Sequence, residues 1–252
     1  MNTHQEIKVQ NDQIDNAHMQ TVLETAYMGQ GASTYDSVRF TTKQGLAFDK
    51  LEREQFMKVA TTIAPGASVL EVGCGTARFS KQCAEAGYNV TASDASPDML
   101  AIAREKCAGL PNIDFKLARG ADIDFESNTF DFVFAIRVIN SLESPHYALQ
   151  TVREMIRVTR PGGVVLVEFA NANRPLAKHN NSVRLRFQQI RELAEEQGCS
   201  VVSQSGILVF SQTVMDAMPA LVLPVWIIVE RIFASLFWGI ASRGYIVLRK
   251  NR

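Results

Sequence analysis

The sequence predicts a doubly wound α/β fold, in which a parallel sheet carries helices on both faces. Short apolar runs alternate with helical patterns from about residue 66 to residue 210, and strand–helix–strand alternation is typical of a parallel sheet. The apolar runs are rich in Val, Ile, Leu and Phe, as expected of strands that are covered on both faces. Glycines and Ser-Pro pairs mark the ends of the helical patterns.

Each strand and helix of this fold is predicted by a run of its own. The apolar runs predict strands at residues 68–72, 89–93, 113–117, 130–136, 164–169, 201–210 and 243–249. The patterns between them predict helices at residues 77–86, 97–107, 146–158 and 183–197. Gly87 stands just beyond a helix end, and Ser96-Pro97 and Ser144-Pro145 are typical helix starts.

The first 65 residues have helical patterns and no strand pattern. We expect residues 1–65 to form an N-terminal helical cap over the sheet edge rather than a second domain. Residues 66–252 then form the α/β domain. A strongly apolar helical insertion at about 213–242 precedes its final strand.

Composition and charge exclude several classes of function. The chain has 252 residues, of which 46% are hydrophobic and 21% charged, a balance typical of globular proteins. Lys plus Arg and Asp plus Glu both number 26, so general nucleic-acid binding has no electrostatic support. The four cysteines form no Cys-x-x-Cys pair and have no histidine cluster nearby, so neither a metal site nor a disulfide framework is predicted. The polar N-terminus has no apolar signal region, and we expect a cytoplasmic protein.

The strongest functional signal is a strand that runs into closely spaced glycines. In the segment Glu71-Val-Gly73-Cys-Gly75-Thr-Ala77-Arg78, the chain turns off the strand and enters a helix. Glycine is needed where a backbone turns sharply and a ligand approaches without a Cβ in the way. The turn lies at the carboxyl edge of a parallel sheet, which predicts a nucleotide-like ligand there. The alternative is a tight strand–helix turn with no ligand.

A carboxylate at the end of the next strand supports the ligand. Asp94 follows the glycines by about 20 residues. At this place it can accept hydrogen bonds from both hydroxyls of an adenosine ribose. The alternative is an N-cap for the helix that starts near Pro97, but Ser96 is better placed for that role.

These segments resemble a known family. The pattern Glu-x-Gly-x-Gly-x-Ala, from Glu71 to Ala77, resembles the first motif of class I S-adenosylmethionine-dependent methyltransferases, whose usual form has glycine at the position of Ala77. Further segments resemble the family in the same order, at residues 90–94, 120–131 and 157–163. The resemblance covers about residues 66–170.

The resemblance implies a Rossmann-like seven-stranded sheet whose last strand is antiparallel, with S-adenosyl-L-methionine as the cofactor. It implies that Glu71 contacts the methionine amine side of the cofactor, that Gly73 and Gly75 admit the cofactor, and that Asp94 holds its ribose.

The resemblance implies two further contacts with the cofactor. Ala121 and Asp122, in the loop after the third strand, would hold the adenine, with surface solvation as the alternative for Asp122. Family members often close the cofactor pocket with an N-terminal aromatic residue, and Tyr35 is the candidate here. Tyr27 lies in the same segment. Helix packing is the alternative for both tyrosines.

Two residues are candidates for catalysis. Methyl transfer from a sulfonium is an in-line displacement, so the protein supplies alignment, desolvation and in some cases a base. His179, in the loop after the fifth strand on the side where an acceptor should enter, is the candidate base. Arg137, directly after the fourth strand, is the candidate for orienting the acceptor, and capping of the following segment is its alternative role.

The apolar segment at 217–241 does not follow from this fold. A transmembrane helix is opposed by Glu230 and Arg231 in its middle, each costing about 2.5–3.5 kcal/mol at a bilayer centre. A span would also separate the final strand from the sheet. A lid over an apolar acceptor pocket, a homodimer interface, a membrane-surface contact and internal packing remain open. From residue 171 to residue 252, 10 Lys and Arg against 5 Asp and Glu favour an anionic or interfacial partner.

We therefore expect a methyltransferase that acts on a small, lipophilic acceptor, in the cytoplasm or associated with a membrane. Two alternatives use the same opening turn, a nicotinamide-dependent oxidoreductase and a non-catalytic binding protein on a methyltransferase scaffold. Arg78 stands where a dinucleotide fingerprint has its third glycine, which argues against the oxidoreductase. The binding protein stays open, because this chemistry has no obligatory catalytic residue.

Overall fold

The computed structural model describes residues 27–175, 182–210 and 212–251. Its strands are β1 (Ser68–Val72), β2 (Asn89–Asp94), β3 (Ile113–Leu117), β4 (Phe130–Ala135), β5 (Thr159–Asn171), β6 (Arg184–Leu185), β7 (Cys199–Ile207) and β8 (Arg243–Lys250). Its helices are α1 (Gly29–Arg39), α2 (Lys43–Ala60), α3 (Arg78–Glu85), α4 (Pro97–Lys106), α5 (Pro145–Val158), α6 (Phe187–Glu196), α7 (Gln212–Ala217) and α8 (Leu223–Phe237).

The strands form one sheet in the order β3-β2-β1-β4-β5-β8-β7, with the short β6 paired to β5. Strands β1 to β5 pair in parallel, whereas β8 is antiparallel to both β5 and β7. The chain order reverses at β1 and β4, and the carboxyl ends of these two strands bound the crevice where doubly wound sheets bind ligands. The predicted fold class, including the antiparallel last strand, is confirmed.

Both faces of the sheet are covered. Alternate residues of β4 belong to different cores: Val133 packs in the cluster that contains α5 and α6 residues, and Phe132 and Phe134 pack in the cluster that contains α2 and α3 residues. Burial on both faces explains why the strand is continuously apolar after Asp131, as Phe-Val-Phe-Ala, rather than alternating.

Helix α6 begins four residues later than predicted. The prediction started the helix at Val183, whereas Arg184 and Leu185 pair with the end of β5 as β6. The helix starts at Phe187, after a capping box in which the Gln189 side chain accepts from the backbone N–H of Arg186 at 2.8 Å. Local periodicity could not reveal β6, because this short strand is extended through its pairing with β5. The pairing uses the end of β5, at Ala170 and Asn171, which lies beyond the residues that pair with β4.

Strand β5 begins earlier than predicted, at Thr159 instead of Val164. Helix α5 ends at Val158, as expected from the Pro-Gly-Gly sequence that follows. That sequence is accommodated as an irregularity in the pairing with β4, between Phe130 and Phe132, and Gly162 has a φ of +80°. The turn chemistry was identified correctly, and the sheet absorbs it as a bulge.

Helices α1 and α2 pack against the sheet domain. Phe56 of α2 is fully buried, with its ring centroid 4.8 Å from that of Phe79 and 4.9 Å from that of Phe134. The backbone N–H of Gly29, at the start of α1, donates to the Asp98 carboxylate at 2.7 Å. The described part of the N-terminal region is thus joined to the core of the sheet.

The apolar insertion forms α7, α8 and a 3-10 turn at Trp238–Ile240, all between β7 and β8. Residues Leu223–Ile240 are long and apolar enough to cross a membrane by length and composition, and 17% of this stretch is buried. A helix of this kind is weak evidence for a membrane span.

Lys250, the last residue of β8, caps the end of α5. Its ammonium donates to the carbonyls of Ile156, Arg157 and Thr159 at 2.9, 3.1 and 2.8 Å. The last carbonyls of a helix lack intrahelical donors, and a cation there also interacts favourably with the helix dipole.

Replacement of Lys250 by Met should lower the free energy of unfolding by about 1–3 kcal/mol, because the carbonyls lose a charged donor while most of the side-chain volume remains. Urea denaturation measures the change. The matched control is Lys81→Met, on a side chain that is 45% exposed. Equal stability of the two variants would contradict the capping role.

Candidate active site

A cavity lies at the carboxyl ends of β1, β2 and β4, beneath the N-terminal helix α1. It encloses about 880 Å³ including its open mouth. Residues that the sequence had identified as candidates share this cavity: Tyr35, Glu71, Gly73, Gly75, Asp94 and Arg137.

The glycines at the end of β1 have separate structural reasons. Gly73 has a φ of +72°, and a Cβ there would lie 2.3 Å from Val138 Cγ2. Gly75 has a φ of +54°, and a Cβ there would meet nothing within 4 Å. Gly73 is therefore required by packing against the neighbouring loop, whereas Gly75 keeps its backbone open to the cavity.

Glu71 caps the helix that follows the glycines. Ala77, in the N-cap position, has a left-handed backbone with a φ of 62°, and its side chain accepts no capping hydrogen bond. The Glu71 carboxylate replaces that cap by accepting from the backbone N–H of Ser80 at 2.8 Å and from its hydroxyl. Glu71 therefore connects the floor of the cavity to the start of α3.

The environment of Glu71 favours its neutral form. Burial raises the pKa of this carboxyl to about 8, against the opposing effect of the Ser80 hydrogen bonds and the Arg78 charge. A cation placed in the cavity beside Glu71 would favour the ionised form and draw the pKa down again.

Asp94 supports the glycine turn from the neighbouring strand. One carboxylate oxygen accepts from the backbone N–H of Gly75 at 2.7 Å, and the other from the backbone N–H of Ser96 at 2.9 Å. Burial raises the pKa of Asp94, and these backbone hydrogen bonds oppose the shift. Ser96 itself is the N-cap of α4, since its hydroxyl accepts from Met99 N–H at 3.2 Å. A carboxylate oxygen can accept more than one hydrogen bond, so Asp94 retains capacity for a ligand in the cavity.

Aromatic residues of the N-terminal region close the cavity. Tyr27, Tyr35 and Phe40 line it, with ring centroids 6.0 Å apart in the first pair and 6.4 Å apart in the second. The Tyr27 hydroxyl donates to the Ser141 hydroxyl at 3.1 Å, across the mouth from the loop after β4.

Arg137 occupies a strained position directly after β4. Its backbone is left-handed, with a φ of 64°, and its N–H donates to Glu168 Oε2 at 2.6 Å. Its guanidinium lies 3.7 Å from Glu52 Oε2 and 5.1 Å from the centre of the Phe48 ring. Non-glycine residues persist in this conformation only where neighbours hold them, and such residues cluster at functional sites.

Arg78 joins the start of α3 to α2. Its guanidinium pairs with Glu52 at 2.7 Å and with Asp49. Glu52 is fully buried, so the ion pair is largely removed from water. A bulky cation thus stands where a dinucleotide-binding loop has glycine.

Three other residues were candidates from the sequence. Ala121 and Asp122 do not line the cavity, where Ala118 and Gly120 of the same loop do. His179 lies outside the described residues.

Several lining residues were not candidates in the sequence analysis. Phe40 reaches the cavity from the α1–α2 turn, and Ser141 and Leu142 reach it from the loop after β4. Cys74 stands between the two glycines and Thr76 directly follows them, and their position in that motif was the available signal. The Thr76 hydroxyl also donates to Asp36 of α1 at 2.9 Å, a long-range contact that local patterns do not reveal.

Comparison with known proteins identifies the domain. Residues 70–167 match the family model described as Methyltransferase domain. Over these residues the chain is similar to methyltransferase domains. The matched residues run from β1 into β5 and so include the glycine turn, Asp94 and Arg137.

Two curated relatives of this chain carry the same name. A demethylmenaquinone methyltransferase from Clavibacter sepedonicus is 29% identical over 163 residues, which cover 63% of this chain and 65% of that protein. Another, from Tropheryma whipplei, is 34% identical over 46% of this chain and 47% of that protein. The chain therefore matches between about half and two thirds of the length of these relatives.

Solved structures establish the same fold. The CcbJ methyltransferase from Streptomyces caelestis has a TM-score of 0.66 at 20% identity, covering 91% of this chain and 99% of that chain. Magnesium protoporphyrin IX methyltransferase from Synechocystis PCC 6803, solved with bound SAH, also has a TM-score of 0.66, at 14% identity and with 92% and 100% coverage.

The glycine turn allows a comparison of two substitutions. Gly73→Ala should lower the free energy of unfolding by about 2–5 kcal/mol, because backbone strain adds to the clash with Val138. Gly75→Ala should cost only the strain, about 1–2 kcal/mol. Adding Val138→Ala to Gly73→Ala should restore part of the loss, as measured by urea denaturation. Equal losses for both glycine variants would contradict this packing.

Glu71 predicts a pH dependence of stability. A carboxyl whose pKa is raised in the folded state binds its proton more tightly there than in the unfolded chain. Its contribution to stability is therefore present at low pH and is lost as the pH rises from about 4.5 to about 8. Relative to Glu71→Gln, which keeps an acceptor for Ser80, the wild type should lose about 3–5 kcal/mol across this range.

Chemical denaturation at a series of pH values measures this difference. The exposed Glu105→Gln variant is the control and should follow the wild type. A wild type that becomes more stable than Glu71→Gln as the pH rises would show that Glu71 is buried as an anion.

Proposed function

We propose that this protein transfers a methyl group from S-adenosyl-L-methionine to a small, lipophilic acceptor. The observation that carries the proposal is the convergence of Glu71, Gly73, Gly75 and Asp94 on one cavity within the methyltransferase domain. The residues fit this cofactor: a backbone left open at Gly75, a carboxylate that suits ribose hydroxyls at Asp94, and an acid beside the cavity for the methionine ammonium at Glu71.

S-adenosyl-L-methionine supplies an activated methyl group, so the protein's tasks are alignment and exclusion of water. Tyr27, Tyr35 and Phe40 would cover the cavity and exclude water from it. Arg137, held in its left-handed conformation by Glu168, would orient the acceptor from the end of β4.

We assign Ala118 and Gly120 to the adenine end of the cavity, because they line it on the loop after β3. The sequence had placed this contact at Ala121 and Asp122, so the proposal shifts it toward the strand. A base at His179 remains a proposal from its position after β5.

The acceptor class is proposed from the lining and from the relatives. Ile136, Val138 and Leu142 give the acceptor side of the cavity an apolar surface. The relatives named demethylmenaquinone methyltransferase support a prenylated quinol. We further propose a cytoplasmic location, with the segment at 217–241 in contact with a membrane surface or a second copy of the chain.

Turnover tests the reaction directly. The purified protein is incubated with methyl-labelled S-adenosylmethionine and an acceptor set that includes demethylmenaquinol. We expect label in the acceptor and an equal amount of S-adenosylhomocysteine. Binding of S-adenosylhomocysteine without turnover of any acceptor would favour a binding protein. Binding of reduced nicotinamide cofactor instead would favour an oxidoreductase.

Asp94→Ala should weaken S-adenosylhomocysteine binding by about 10- to 100-fold, because hydrogen bonds from the ribose to a carboxylate are lost. Titration calorimetry measures the affinity. Asp94→Asn retains an acceptor oxygen and the side-chain shape, and should lose less affinity. Asp114→Ala, at an exposed position on β3, is the control. Unchanged affinity in Asp94→Ala would refute the ribose contact.

A further inference from the structure

Helix α8 presents a continuous apolar stripe to solvent. The stripe begins just before the helix at Leu221 and recurs at helical spacing, with side chains exposed by 91, 62, 55, 54 and 68% at Leu221, Val225, Ile228, Ile232 and Leu236. Several large apolar side chains that are exposed along one helix face indicate an interaction surface, because exposed apolar residues on monomers are usually scattered singly.

The opposite face of α8 is fixed to the domain. Glu230 is buried and accepts from the backbone N–H groups of Val209 and Phe210 at 2.7 and 3.4 Å. Arg231 pairs with Glu54 of α2 at 3.0 Å. The two charges in the middle of the apolar segment therefore attach the helix to the protein, and they leave the stripe facing outward.

The strands that flank α8 exclude a span. Ile207 at the end of β7 pairs with Arg243 at the start of β8, so the insertion leaves and re-enters the sheet at one place. If α8 crossed a bilayer, Glu230 in its middle would lie in the hydrocarbon region. The pair of β7 and β8, which holds both ends of the insertion at one place, would be drawn into the bilayer or pulled apart. A helix that lies flat on a surface satisfies both constraints.

A basic edge adjoins the end of the stripe. The 3-10 turn at Trp238–Ile240 continues α8, and the Trp238 ring lies 5.0 Å from Phe187, at the start of α6. Arg186 precedes Phe187 and is exposed. Arg184 belongs to β6, in the same short segment.

A third arginine lies at this edge. Arg174 follows the end of β5, its backbone N–H donates to the carbonyl of Asn171 at 3.4 Å, and Asn171 pairs with Leu185, next to Arg184 in β6. The pKa of Arg174 is lowered first by burial and then by the charge of Arg184. Neighbouring cations of this kind favour an anionic surface.

The charge pattern distinguishes the possible occupants. A symmetric dimer through this face would account for the apolar stripe alone, because two identical basic edges do not attract each other. A lid is opposed by the lining of the cavity, which contains no residue of α8. An anionic bilayer complements both features, since apolar side chains enter its interface and arginines meet its headgroups.

We propose that the outward face of α8, with the adjoining edge of Arg174, Arg184 and Arg186, docks flat on the surface of an anionic lipid membrane. The α7–α8 loop then lies at the membrane, and there the Gln44 side chain donates to the carbonyl of Met218 at 3.1 Å. Gln44 lies four residues after Phe40, and Phe40 lines the cavity. A lipophilic acceptor dissolved in the bilayer would thus meet the protein on the side of its cavity. The docking itself does not depend on the proposed reaction.

Cosedimentation of the whole protein with vesicles tests the docking. Vesicles of equimolar phosphatidylglycerol and phosphatidylcholine are compared with phosphatidylcholine alone, at low and at high salt. We expect the protein to bind the anionic vesicles at low salt. Binding to neutral vesicles, and binding to anionic vesicles at high salt, should each be at least 10-fold weaker. Absence of binding to anionic vesicles at low salt would overturn the proposal.

Two variants separate the apolar and the basic contributions. Val225→Ser, Ile228→Ser and Ile232→Ser combined should reduce vesicle binding by at least 10-fold, because exposed side chains are replaced without opening the core. Arg174→Gln with Arg186→Gln should reduce binding to anionic vesicles and its salt dependence. The exposed Val202→Ser on β7 is the matched control.

Two outcomes of the variant tests would contradict the proposal. Vesicle binding by the triple variant equal to that of the wild type would place the contact elsewhere. A stable dimer in sedimentation velocity, present in the wild type and lost in the triple variant, would assign the stripe to a second copy. Circular dichroism and thermal unfolding of each variant show that the fold is retained.

Discussion

The site depends on a left-handed turn between β1 and α3. Positive φ at Gly73, Gly75 and Ala77 lets the chain leave the strand and start a helix within a few residues, with its backbone facing the cavity. Ala77 provides no side-chain cap for that helix, and the Glu71 carboxylate supplies one from inside the strand. Asp94 then fixes the turn from the adjacent strand through the Gly75 N–H. The buried Glu71 and the partly buried Asp94 thus hold the turn, and both line the space that a ligand would occupy.

The N-terminal helices α1 and α2 contribute contacts to the site. Arg78, the first residue of α3, pairs with Glu52 and Asp49 of α2, and Glu52 also approaches the guanidinium of Arg137. The helix that carries the glycine turn, the helix α2 and the loop after β4 therefore meet in one charged cluster. Charges removed from water make removal of any one partner costly, so this cluster favours a single arrangement of the three elements. Aromatic residues of α1 and of the turn after it then cover the cavity.

The sequence predicted most of the sheet because strands buried on both faces leave long apolar runs. It also assigned the N-cap of α4 correctly to Ser96, which has the N-cap spacing for that helix. It did not predict β6, whose extended form depends on a free edge of β5, and it did not reveal that Glu230 is satisfied by distant backbone groups. The partners of Arg78 were equally hidden, because α2 is far away in the chain. Periodicity and motif spacing therefore predicted the local elements and the glycine turn. They did not predict contacts between segments that are distant in the sequence.

The most direct test of this account is a crystal structure of the protein with S-adenosylhomocysteine. We predict electron density for the nucleoside in the cavity above Gly75, with ribose hydroxyls about 3 Å from the Asp94 carboxylate. Such a structure would also show whether Ala118 and Gly120 border the adenine. A cavity without the nucleoside at saturating concentration, or a nucleoside bound away from Asp94, would contradict the assignment of this turn as the cofactor site.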